Sequence, residues 1–139
     1  MAKRLLWLLV GVGMAMCSKE PTLDRDKFIG YYKVKRLCSD LNRKEWTDGI
    51  VAVEPGSKDI VQLIGIIEEP ARSGYRSVKA KVTGDYFTIL DDGSSADPKN
   101  QLTGSGRFSG AMLVVEYGPL VSETLNTNVT CSSTCEKIP

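Results

Sequence analysis

The chain has 139 residues, 18 basic against 17 acidic, 42% apolar, and no histidine. A near-balanced charge without Lys/Arg runs offers no electrostatic footprint for DNA or RNA. The missing imidazole removes Ser-His-Asp and Cys-His catalysis together with the commonest ligand of zinc and copper, so neither an enzyme, a metal site, a cofactor nor a nucleic-acid partner is expected.

At the N-terminus, Lys3-Arg4 precede an apolar run from Leu5 to Met16, and Cys17-Ser18-Lys19-Glu20 follow. A basic start and about a dozen apolar residues form the pattern of an export signal, shorter than the roughly 20 residues a membrane-spanning helix needs. Residues 1–16 are therefore expected to target the chain and be removed. The remaining 123 residues carry 16 basic and 17 acidic side chains, enough for one domain with one core. Met14-Ala15-Met16-Cys17 resembles the lipobox of bacterial lipoproteins, with Met16 where Gly or Ala is usual. Ser18-Lys19-Glu20 resembles the Lys-acidic export signal of many lipoproteins of the Bacteroidota. Together they imply acylation of Cys17, a membrane held as partner through that lipid, and a place in the outer membrane facing outward. Each buried CH₂ of an acyl chain contributes about 0.8 kcal/mol, so several chains anchor stably. Residues 17–27, charged and containing Pro21, read as the lipidated tether and residues 28–139 as the domain.

From Phe28 onward the chain is a series of short β-like runs. In Phe28–Cys38, Gly30, Tyr32 and Val34 alternate with Lys33 and Lys35, as in a half-buried strand. Ser39 to Gly49 is polar and reads as a loop carrying Trp46. Ile50–Val53 and Asp59–Ile67 flank Pro55-Gly56 and predict a hairpin. Val78–Val82 alternates cleanly and Gly84-Asp85 turns it into Tyr86–Leu90. Asp91 to Asn100 is a loop. Gln101–Phe108 and Met112–Tyr117 flank Ser109-Gly110, another hairpin. Gly104 and Gly106 share one face, where a strand can bend or another chain approach. Asn128–Ile138 is expected to return beside the first strand. The fold class is all-β: an antiparallel up-and-down meander of about eight strands, closed into a barrel because closure hides the sheet edges.

An exported chain meets an oxidising compartment, so Cys38, Cys131 and Cys135 are disulfide candidates, and three leave one over. Gly30-Tyr31-Tyr32-Lys33-Val34, Val78–Asp85, and Gly104–Gly110 with Leu113–Tyr117 together resemble the small lipocalin-like lipoproteins of the Bacteroidota, across nearly the whole exported chain. That resemblance implies a lipocalin-like barrel and a bridge between Cys38 and Cys131, with Cys135 left as a thiol on the same face. A check agrees: residues four apart in a strand lie roughly 13 Å from each other, so Cys131 cannot reach Cys135 unless the segment turns.

Acid–base chemistry finds no pair. Glu68-Glu69 and Asp91-Asp92 are sequence neighbours, which a strand sends to opposite faces, and Asp91–Asp97 lacks the spacing of a calcium loop. No catalytic residue is assigned. Most aromatics alternate inward as core, whereas Trp46 and Tyr75 fall in predicted loops and are the candidate ligand-binding residues. The expected function is a lipid-anchored, non-catalytic envelope protein. Its cup holds a small apolar ligand, or else its barrel is filled by side chains and its partner is another envelope protein. Ala80 and the two glycines favour the cup, the modest length the filled barrel.

Overall fold

The structure is a computed structural model that describes residues 23–68, 75–90, 101–121, 125 and 127–139; the side chains of Trp46, Thr47, Glu68, Tyr75, Arg76 and Val121 are outside that description. Eight antiparallel strands form a closed up-and-down barrel. They are β1 (Gly30–Cys38), β2 (Arg43–Val53), β3 (Ile60–Glu68), β4 (Tyr75–Thr83), β5 (Tyr86–Ile89), β6 (Thr103–Ser109), β7 (Met112–Val121) and β8 (Asn128–Ile138). The expected barrel and its hairpins at Pro55-Gly56, Gly84-Asp85 and Gly110 are present, and β8 pairs with β1 as expected.

Alternation decides which side chains enter the barrel. Tyr32, Val34, Arg36 and Cys38 of β1 are buried while Tyr31, Lys33, Lys35 and Leu37 face out. Val78, Ala80 and Val82 repeat the pattern in β4, and Phe87 and Ile89 in β5. Cys38 and Cys131 lie opposite each other in the β1–β8 register and form a disulfide, so a covalent link crosses the seam where the last strand meets the first.

Two expectations for the chain outside the core change. Ser39–Gly49 is not one long loop: the turn is over by Asn42, and β2 begins at Arg43, with Trp46 paired to Val34. Strand β1 presents backbone donors and acceptors along its whole length, and pairing them outweighs the weak strand preference of this polar segment. The charged run assigned to the tether ends in a 3₁₀ turn, Asp24–Lys27, bound to one end of the barrel. Arg25 donates to the Ser57 carbonyl, Lys27 pairs with Asp85, and Lys137 donates to the Lys27 carbonyl. The turn delivers Phe28 into the barrel, edge-on to Phe87 at 5.3 Å and stacked on Phe108 at 5.4 Å. The Tyr32 hydroxyl holds it there by donating to the Phe28 carbonyl at 2.6 Å. Phe28 thus plugs the end of the barrel that carries the β2–β3, β4–β5 and β6–β7 turns.

The interior is crossed as well as plugged. Gly65, Ile66 and Ile67 of β3 are buried in succession, which simple alternation forbids. Between Ile64 and Glu68 the register against β4 shifts, and Gly65 has φ +70°, so β3 bulges inward. The bulge brings the Ile66 carbonyl across the interior to β8, with β1 and β2 between them in the wall, where Ser133 Oγ donates to it at 2.8 Å. With its proton committed, Ser133 accepts from the Tyr117 hydroxyl at 2.9 Å. Replacing Ser133 by Ala deletes the bond to the Ile66 carbonyl and one made by Tyr117, and is expected to cost about 2 kcal/mol of stability. Urea titration checks this against Thr134→Ala, one residue along on the outer face, which is expected to change stability by about 0.5 kcal/mol or less.

Candidate functional site

The lumen is lined by apolar side chains from β1, β3, β5 and β7. Tyr32, Phe28, Phe87, Leu63, Ile66, Ile67 and Leu113 are all fully buried within it. The space next to Gly106, expected to favour a cup, is taken by the Phe87 ring, which is where a Cβ on Gly106 would point. Ala80 is likewise fully buried. An eight-stranded barrel is just wide enough for side chains to fill, and these buried side chains are the described residues that occupy its interior.

Cys135 sits in that interior on the same face as the disulfide, as a free thiol with no exposed surface. Burial pushes its pKa up to about 12, far from the depressed value of a reactive thiol. In the native protein the peptide carrying Cys135 is expected to resist iodoacetamide at pH 8 and to be alkylated once urea unfolds the chain. The same shift links stability to pH. Above the ordinary thiol pKa the unfolded chain loses this proton while the folded one keeps it, so stability falls as pH rises from about 9 towards 12.

Trp46 and Tyr75 do not share a loop. Both belong to strands, β2 and β4, with β3 between them, and Tyr75 pairs with Glu68. Cys17 and the Asp91–Asp97 stretch lie outside the described residues. Among the described residues no three His, Cys, Asp or Glu side chains gather as they would around a metal ion, and no helix is long and apolar enough to cross a membrane.

Among the described residues, a concavity with converging polar groups lies on the outer wall, and its origin is the Gly104-Ser105-Gly106 stretch. A Cβ on Gly104 would meet the Glu116 carbonyl and, at 2.9 Å, the Tyr117 Cα; one on Gly106 would meet the Phe87 ring. Because both glycines lack that atom, β6 sinks against β7 and onto the core, and the wall is dented on its solvent side. A groove of about 490 Å³ occupies the dent, lined by Tyr86, Ser105, Arg107, Ser109, Val114 and Glu116. The pairings place these groups in two rows. Tyr86, Arg107 and Val114 are successive partners across β5, β6 and β7, and Ser105 and Glu116 are partners one pleat further along. Tyr86 keeps 48% of its surface exposed. Ser105 and Glu116 also belong to a second groove of about 630 Å³ that runs from Thr103 of β6 over Thr130 and Ser132 of β8 to Leu37 of β1.

These groove residues were passed over in the sequence because each is an ordinary outward strand position. The signal that could have found them is the pair of glycines flanking Ser105, together with an exposed aromatic, Tyr86, at the start of the preceding strand. Arg36 was also missed: the alternation that sends Tyr32 and Val34 inward sends this arginine inward too, to 2% exposure. Comparison with known proteins adds no relative: no family model, curated protein or solved structure matches the chain.

Proposed function

We propose that this protein is a lipid-anchored, non-catalytic component of the cell envelope that acts through the outer surface of a side-chain-filled barrel. The anchor rests on the sequence alone: the apolar run to Met16, then Cys17-Ser18-Lys19-Glu20. The observation that carries the choice of surface over cup is the Ser133 hydrogen bond to the Ile66 carbonyl across the interior. A cup needs an unobstructed apolar cavity, commonly several hundred Å³. Here β3 bulges into the middle of the barrel and Phe28 closes one end.

Two mass measurements test the two halves separately. The N-terminal peptide of membrane-extracted protein is expected to begin at an acylated Cys17, and an intact Met1–Met16 would overturn the anchor. Native mass spectrometry of the gently extracted protein is expected to give the mass of the acylated chain without cargo. An additional apolar mass released on unfolding would return the barrel to the role of a cup.

A further inference from the structure

The dented wall has a chemistry of its own. Its charges cancel, one Arg107 against one Glu116, so the groove has no net attraction for an anion or a cation. Among the described residues neither of these two side chains is held by a hydrogen bond or an ion pair, which leaves guanidinium donors and carboxylate acceptors available side by side. Ser105 and Ser109 add hydroxyls that donate and accept. Tyr86 supplies an exposed ring, a rigid and amphipathic contact surface of the kind favoured in recognition sites. The groove is too open and too polar to shield an acyl chain from water. What it matches is a ligand with weakly apolar faces and a rim of uncharged groups that both donate and accept, which is the chemistry of a pyranose.

We infer that the outer wall of β5, β6 and β7 binds a neutral oligosaccharide, with Tyr86 as the stacking platform and Arg107 and Glu116 hydrogen-bonding adjacent hydroxyls. Strand spacing sets the scale. Tyr86 and Glu116 are two strands and one pleat repeat apart, about 12 Å between Cα atoms, more than one sugar ring covers. The second groove prolongs the path from Glu116 over Ser132, so the site fits a chain of sugars laid across the strands.

This inference rests on the reading of the barrel as a surface-acting module, and its test is separable from that reading. The full chain, purified in a zwitterionic detergent free of sugar headgroups, is presented with hexasaccharides of glucose, mannose and N-acetylglucosamine, and with a sulfated oligosaccharide as the anionic counterpart. Saturation-transfer NMR is expected to show contact with at least one neutral probe. Tyr86→Ala is expected to weaken that binding about tenfold, Glu116→Gln severalfold, and Tyr86→Trp to retain it. Tyr86 lies outside the core, so its variants should melt with the parent protein; if Tyr86→Ala does not, Glu116→Gln decides. Absence of transfer to every neutral probe at millimolar concentration, tighter binding of the sulfated one, or binding unchanged in both Tyr86→Ala and Glu116→Gln would overturn the inference. Cargo found in the lumen alongside intact saccharide binding would overturn the filled barrel alone. A bare mass without saccharide binding would overturn the groove alone.

Discussion

Removing both Cys38 and Cys131 by alanine substitution is expected to lower the unfolding free energy by about 4–5 kcal/mol, a third or more of the stability of an ordinary domain. The size follows from the loop. The two cysteines are 93 residues apart, and in the chain-entropy account the cost of closing a loop grows with the logarithm of its length. The place matters equally. Each of the other seven strand pairings joins sequence neighbours, whereas β1 with β8 joins the two ends of the barrel. The bridge therefore holds the pairing that the free chain finds hardest to make. Urea titration of the parent and the double variant, both without reductant, measures the difference. A change below about 1 kcal/mol would show that the unfolded chain already keeps its ends together.

The second large effect is expected at Gly104. An alanine there would drive its methyl group into the Glu116 carbonyl and towards the Tyr117 Cα, both of them backbone of the strand to which Gly104 is paired. Backbone in a paired strand cannot step aside as a side chain would, so β6 must separate from β7, at a cost of about 3 kcal/mol or more. Gly110 provides the contrast. It has φ +61° and open space where its Cβ would be, so Gly110→Ala is strained but meets nothing, and should cost about 1 kcal/mol. Thermal melts of the two variants beside the parent test the difference. If Gly104→Ala were no worse than Gly110→Ala, the close approach of β6 to β7 would not be what shapes the dented wall.

Much of the wall was legible from local pattern. The alternation in Tyr31–Leu37 and Val78–Val82, and the turns at Pro55-Gly56, Gly84-Asp85 and Gly110, need no information beyond a few neighbouring residues, because a strand sends successive side chains to opposite faces and a tight turn needs particular backbone angles. The polar segment before Gly49 misled for the same reason. Its residues have little strand preference of their own, and they become β2 because β1 lies beside them with unfilled hydrogen bonds. Trp46 followed its segment from a predicted loop into a strand.

The candidate site was much less legible. Gly104 and Gly106 marked a place where a strand could bend or be approached, but not which neighbour would approach. Phe87 and the β7 backbone took the inner side, and the solvent-facing hollow with Tyr86, Arg107 and Glu116 is the outer consequence. Cavity arguments from small residues fail here because an absent side chain in one strand is filled from another.

By itself the sequence determined that this chain is all-β, that its strands run as consecutive hairpins, and which face of most strands is apolar, since each of these depends on contacts between residues close in the chain. Tertiary structure alone decided that β3 bulges inward to Ser133, that Phe28 closes one end, and that the β6 glycines are met by Phe87 and the β7 backbone beneath an outer groove. The first depends on atoms that meet across 67 residues and the second on contacts across 59 and 80, and no local period encodes a meeting at that distance.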